Sequence, residues 1–200
     1  MKKKIERKIR AAHLWKKIMI AVAVIMVVTI LFSGVLESRF EAGTACIGLA
    51  VFAEIVCLVT YFGFRRNILI SSQALLDQGV TIDEVAKDLE NAKTIGKMSK
   101  FKCGEKFFSI SCPFSIFSYR DILWIYNERT THTNTSTGAT TTSQNVIVCT
   151  VQGKKYITNV SWKAAKKFLE ENNGKFSPDL IIGYKRKYNK QYKELVKKSK

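Results

Sequence analysis

Two long apolar runs, Ile18 to Leu36 and Ala45 to Phe64, constrain this 200-residue chain more than any other feature of it. At about 1.5 Å of rise per residue, each run as a helix matches a hydrocarbon core of roughly 30 Å. Lipid admits only helices or closed barrels, and neither run shows the period-2 alternation of a barrel strand. The loop between them carries Glu37, Arg39 and Glu41. Lys2, Lys3, Lys4, Arg7, Lys8, Arg10, Lys16 and Lys17 precede the first run, and Arg65 and Arg66 follow the second. Basic flanks favour the cytoplasmic side. The expectation is a transmembrane α-hairpin over residues 18–64, in a multi-pass cell-membrane protein with both termini in the cytoplasm. The length of the first run, with a second close behind it, argues against a cleaved signal peptide.

The formal net charge of +17 raises nucleic acid as a partner, but the charge is gathered at the two ends. Residues 1–17 carry +7. Residues 183–200 carry another +7, from Lys185, Arg186, Lys187, Lys190, Lys193, Lys197, Lys198 and Lys200 against Glu194. A basic cluster held near a bilayer gains about 1 kcal/mol per Lys or Arg from anionic lipid, less as salt rises. The anionic inner leaflet is therefore the expected partner, ahead of nucleic acid. Within the second run, Glu54 is an acid at membrane depth, and such residues are functional candidates by default. Thr29 lies at matching depth as a hydrogen-bond partner. A polar group on another copy is the other candidate, which would make the hairpin a homo-oligomer contact.

Tyr184, Tyr188, Tyr192 and Leu195 recur at helical spacing among Lys185, Arg186, Lys187, Lys190 and Lys193. Two readings fit this basic amphipathic helix. It lies among lipid headgroups with its tyrosines at the polar boundary, or it docks the tyrosines on a domain and leaves the lysines in water. Periodicity alone does not separate them.

Beyond Arg66 the composition becomes that of an ordinary domain. Thr81-Ile82-Asp83-Glu84 has the form of a capping box, predicting a helix to about Ala92. Strands are expected over Phe101–Cys103, Lys106–Ser111, Pro113–Tyr119, Ile122–Tyr126, Asn145–Val151 and Lys154–Val160, joined by tight turns. Ile122–Tyr126 and Val146–Cys149 are apolar on both alternating faces, as in strands covered on two sides. Arg129–Ser143, nearly all Thr, Ser, Asn and Gly, reads as an exposed hairpin loop. Ser161 caps a helix to about Asn172, with Trp162, Ala165, Phe168 and Leu169 on its packing face. The resulting division is a basic N-terminus (1–17), the hairpin (18–64), a helical linker (65–96), a small antiparallel β domain with a packing helix (97–183) and a basic tail (184–200). The fold class is α+β.

Chemistry-bearing motifs are sparse. Cys46, Cys57, Cys103, Cys112 and Cys149 show no C-x-x-C spacing, and only His13 and His132 offer imidazole, so no metal or cofactor is expected. No phosphate-binding loop, dinucleotide fingerprint, zinc-protease motif or nucleophile elbow occurs, and no catalytic residue is assigned.

The run of strands closed by a helix, with Tyr119-Arg120-Asp121-Ile122-Leu123-Trp124 leading into the polar hairpin, resembles bacterial pleckstrin-homology-like domains of small membrane proteins. Through Gly153-Lys154-Lys155-Tyr156 and Ile181-Ile182-Gly183-Tyr184 it is also similar to an uncharacterised family of Gram-positive bacterial two-span membrane proteins. The resemblance covers roughly Lys97 to Lys187. It implies a β domain with no catalytic apparatus. In such domains basic strand loops often take phosphoinositides, and here the first hairpin offers Lys102 and Lys106. The expected function is a membrane-anchored cytoplasmic interaction module for a protein partner or anionic lipid. The alternatives are an enzyme with an unrecognised site, or an accessory subunit of a membrane transport complex.

Overall fold

The capping box forms as expected: the Thr81 hydroxyl accepts from the Glu84 N–H at 3.2 Å and starts a helix over Ile82–Asp88. In the computed structural model the described residues are 1–37, 51–52, 55–56, 66–97, 100–133 and 135–199. They contain five helices and eight strands: α1 (Lys2–Glu37), α2 (Arg66–Leu76), α3 (Ile82–Asp88), β1 (Lys93–Ile95), β2 (Phe101–Cys103), β3 (Phe107–Ser111), β4 (Phe114–Ser118), β5 (Ile122–Thr133), β6 (Thr140–Thr150), β7 (Lys155–Thr158), α4 (Trp162–Glu171), β8 (Ile181–Ile182) and α5 (Tyr188–Lys198). The chain divides into two compact units, the first Lys3–Ile70 and the second Ser71–Lys200 with Met1–Lys2.

In the first unit the structure corrects the expected transmembrane hairpin. Among the described residues, no helix is long and apolar enough to cross a membrane. α1 is one helix whose first half, through Lys17, is densely charged. The transmembrane and multi-pass reading therefore does not hold. Of the second run only Val51, Phe52, Ile55 and Val56 are described, so Glu54 lies outside the described residues, as does the side chain of Thr29.

In the second unit two four-stranded sheets carry the fold, ordered β1-β2-β3-β4 and β7-β6-β5-β8. All pairs are antiparallel except β5 with β8. Residues 65–96 do more than link: α2 buries Ser71, Ser72 and Leu75, and β1 opens the first sheet. The Ser71 hydroxyl accepts from the Ile116 N–H at 3.2 Å, tying α2 to β4. α4 is capped by Ser161, whose hydroxyl accepts from the Ala164 N–H at 3.3 Å. Its Phe168 sits at the centre of an aromatic core, stacked on Phe101 at 4.1 Å and against Phe108 at 4.8 Å and Phe176 at 5.6 Å. Packed rings of this kind contribute roughly 0.5–1.5 kcal/mol per pair beyond the area they bury. Trp162, expected on the packing face, is only half-buried, because the inward stripe is Ala165, Phe168 and Leu169.

The turn from β2 to β3 is held by one carboxylate. Asp88, at the end of α3, accepts from the backbone N–H groups of Glu105 (3.0 Å), Lys106 (3.2 Å) and Phe107 (2.9 Å). The turn lies so close that a Cβ on Gly104 would run into the Asp88 carboxylate and come within 2.9 Å of its backbone carbonyl oxygen. Gly104→Ala is therefore expected to cost about 1–3 kcal/mol as an overpacking change, and Asp88→Ala a similar amount through orphaned N–H groups. Urea unfolding measures both. Wild-type midpoints in the two variants would refute the role of this contact.

Candidate functional site

The tyrosines of the C-terminal segment are anchored on the body. β5 and β6 present Trp124, Tyr126, Ile147 and Cys149 on one face of the second sheet, and α5 lies over that face through Tyr188, Tyr192, Leu195 and Val196. Tyr192 is 5% exposed, and its hydroxyl donates to the Thr150 carbonyl at 3.0 Å. Its ring lies 5.7 Å from that of Trp124. Ser199, just past the helix, donates to the Val151 carbonyl at 3.2 Å.

The approach to α5 is equally fixed. β8 runs beside β5, pairing Ile181 with Trp124 and Ile182 with Ile125. Gly183 then takes φ +82°, a left-handed conformation that costs glycine little. There its N–H donates to the Ile125 carbonyl at 2.9 Å, and its own carbonyl accepts from the Trp124 indole at 2.7 Å. Tyr184 follows, 58% exposed, stacked 6.0 Å from Trp124 and 5.3 Å from Tyr126.

Because Tyr188, Tyr192 and Leu195 face inward, helical geometry sends Lys190, Lys193 and Lys197 outward along one stripe. Lys185, Arg186, Lys187, Lys190, Lys193, Lys197 and Lys198 are all exposed. Among the described residues none of them forms an ion pair, whereas Lys93, Lys106, Lys167 and Lys175 each meet a carboxylate. Lys185 and Lys187 each lie 5.9 Å over the Tyr188 ring. The β6–β7 turn adds Lys154 and Lys155 beside the helix. A Cβ on its Gly153 would touch Val196 at 3.5 Å, and the Lys155 ammonium lies 5.9 Å over Trp124. The sequence reading missed these two lysines as part of the surface, although the Gly153-Lys154-Lys155 turn was visible; nothing local says which helix a turn will touch.

The groups beneath this surface are neutral at ordinary pH. Burial pushes the Tyr192 phenol up, with Cys149, Tyr126 and Tyr156 adding to it. Burial also pushes Tyr126 and the Cys149 thiol each up to about 12, the latter against the pull of Lys155. The charge of the face is thus that of its exposed side chains, the cations against Glu194. Of the three tyrosines, Tyr192 is buried against the sheet, Tyr188 is half-buried, and Tyr184 is exposed.

A second polar cluster lies at the other sheet. Tyr119 donates to Asn172 Oδ1 at 3.2 Å, Asn172 donates to the Phe168 carbonyl at 2.9 Å, and Lys175 donates to the Gly104 carbonyl at 2.8 Å. Burial raises the neighbouring Cys103 thiol, which disfavours the thiolate a nucleophile would need. Its hydrogen bonds close on the body itself, as in a structural network. Among the described residues no group of three His, Cys, Asp or Glu side chains is placed to hold a metal ion.

Residues 68–192, from α2 to Tyr192, match the family described as a domain of unknown function, DUF6709. The chain belongs to the DUF6709 family. The matched DUF6709 region takes in both sheets and α4 and ends at Tyr192, within the first turns of α5. No curated protein and no solved structure matches the chain.

Tyr192→Phe should lose about 1 kcal/mol through the Thr150 hydrogen bond, and Tyr192→Ala roughly 3–5 kcal/mol through the vacated ring site. Chemical denaturation followed by Trp124 fluorescence reads both. An alanine variant as stable as the wild type would mean that the ring is not packed there.

Proposed function

We propose that this DUF6709 protein is a non-catalytic interaction module whose C-terminal face docks peripherally on an anionic lipid surface. The observation that carries the reading is the fixed ridge of unpaired cations, Arg186, Lys190, Lys193 and Lys197, beside the exposed ring of Tyr184. An aromatic ring at a polar boundary next to lysines suits a headgroup layer. A ridge held by Tyr192 also presents its charges without first having to order a flexible tail, which lowers the cost of binding.

The pleckstrin-homology-like reading is part of this proposal. A four-stranded meander, then the β5-β6-β7 meander, then α4 is the order that the resemblance implies, and it supports a β scaffold carrying a binding surface. The headgroup position implied by that resemblance has less support. Lys102 donates to the Glu90 carbonyl at 3.1 Å and Lys106 meets Glu84 at 3.5 Å, so both cations of the first hairpin are engaged. The ridge cations are unpaired, and the ridge is where an anionic surface gains most.

Full-length protein carrying Lys190→Gln, Lys193→Gln and Lys197→Gln should bind phosphatidylglycerol vesicles on the order of a hundredfold more weakly at low salt, from about 1 kcal/mol per lysine. Binding to neutral phosphatidylcholine vesicles should not change. Flotation at two salt concentrations measures it, and wild-type affinity of the triple variant for anionic vesicles would remove the basis for the proposal.

A further inference from the structure

β1 is the outermost strand of the first sheet. It pairs with β2 from Lys93 with Cys103 to Ile95 with Phe101, and among the described residues no strand pairs with its other edge. α4 stands alongside, held to β1 by the Lys93 ammonium at 2.7 Å from the Glu171 carboxylate. Between the two runs an open groove, with Ile95, Gly96 and Lys97 on one side and the length of α4 from Ser161 to Glu171 on the other. At 1.5 Å of rise per residue that wall is about 15 Å long, room for about five residues of extended chain.

The groove is cationic where it is not already neutralised. Glu171 is paired with Lys93 and, at 3.8 Å, with Lys167. Lys97, Lys163 and Lys166 are exposed and meet no carboxylate among the described residues, and the other acid of the groove is Glu170. Trp162, half-buried because the inward stripe of α4 leaves it out, adds an aromatic surface to the wall. Each feature narrows the occupant. An unpaired strand edge offers its backbone N–H and C=O groups to another extended peptide backbone, which lipid and nucleic acid lack. Lysines along the edge turn away a cationic strand, a second copy of this chain of formal charge +17 included, and favour one that carries carboxylates. The Trp162 ring suits an apolar side chain projecting from that strand.

We propose that the groove between β1 and α4 binds an acidic, extended peptide segment of a partner protein. The peptide adds to β1 as a fifth strand of the first sheet, sets its carboxylates against Lys97, Lys163 and Lys166, and lays an apolar side chain on Trp162. Backbone pairing supplies the attachment, and the lysines supply the selection for acid. The cationic ridge belongs to the second sheet, so this site stands whether or not the ridge meets lipid.

The probe is an end-blocked octapeptide of Glu-Glu-Val-Val repeats, which offers both kinds of side chain on both of its faces, added to the full-length protein at low salt. Calorimetric titration reads its affinity, and amide exchange reads where it sits. It should bind and slow exchange over Lys93–Gly96, a readout that needs no variant. A Lys-Lys-Val-Val counterpart should not bind. The glutamate peptide N-methylated at every valine, which blocks both of its edges, should bind about tenfold more weakly. Lys163→Glu/Lys166→Glu should also weaken binding about tenfold, with a retained near-ultraviolet signal verifying its fold, whereas the triple glutamine variant of the ridge should bind as the wild type does. No binding, unchanged exchange over Lys93–Gly96, full affinity for the N-methylated peptide, or indifference to the two lysine reversals would each overturn the proposal. The same protection from phosphatidylglycerol vesicles or from polyuridylate would assign the groove to charge alone and overturn it too.

Discussion

The burial of the Tyr192 ring on the outer face of the second sheet governs how the most cationic part of the chain is presented. An 11-residue helix is too short to persist alone in water, and α5 gains its stability from this docking. The sheet supplies Trp124, Tyr126, Ile147 and Cys149, and the helix supplies Tyr188, Tyr192, Leu195 and Val196. With those tyrosines inside, the lysines have no position but outside. What reads in sequence as a basic tail is thus the rim of a second hydrophobic core, held at fixed spacing.

The same packing explains why β5 and β6 are apolar on both faces. Ile125, Val146 and Val148 are buried with Trp124, Tyr126, Ile147 and Cys149, although neighbouring residues on a strand point to opposite sides. That double-sided pattern was legible in the sequence, as were the caps at Thr81 and Ser161 and the strands at Phe101, Phe107 and Phe114. The helical spacing of the tyrosines was legible too. Their docking was not, because a periodic stripe shows that a helix has an apolar face without showing what covers it. β1, with Ile95 as its single buried residue, and the two-residue β8 escaped notice because neither shows the alternation that Phe101–Cys103 does.

Two readings failed for instructive reasons. Hydropathy placed a transmembrane hairpin over residues 18–64, yet no described helix is long and apolar enough to cross a membrane. A window of apolar residues measures affinity for an apolar environment and does not itself establish a span. Polarity placed a loop over Arg129–Ser143, where the strands continue. A ribbon wetted on both faces has no apolar face to show, and only the strand preference of threonine marks it. The residues carrying the proposed lipid surface were partly visible in the sequence, Lys185 to Lys193 by charge and Tyr184 by spacing. Lys154 and Lys155 join them only through the fold.

Amide hydrogen exchange along α5 tests the central claim most directly, because a lone helix of this length exchanges freely while a docked one does not. The backbone N–H groups of Tyr192 to Val196 should exchange as slowly as those of Val146 to Cys149 in β6. Exchange at the rate of an unstructured chain over Tyr192–Val196, with β6 still protected, would show that the helix is a free tail, and the fixed ridge would not exist.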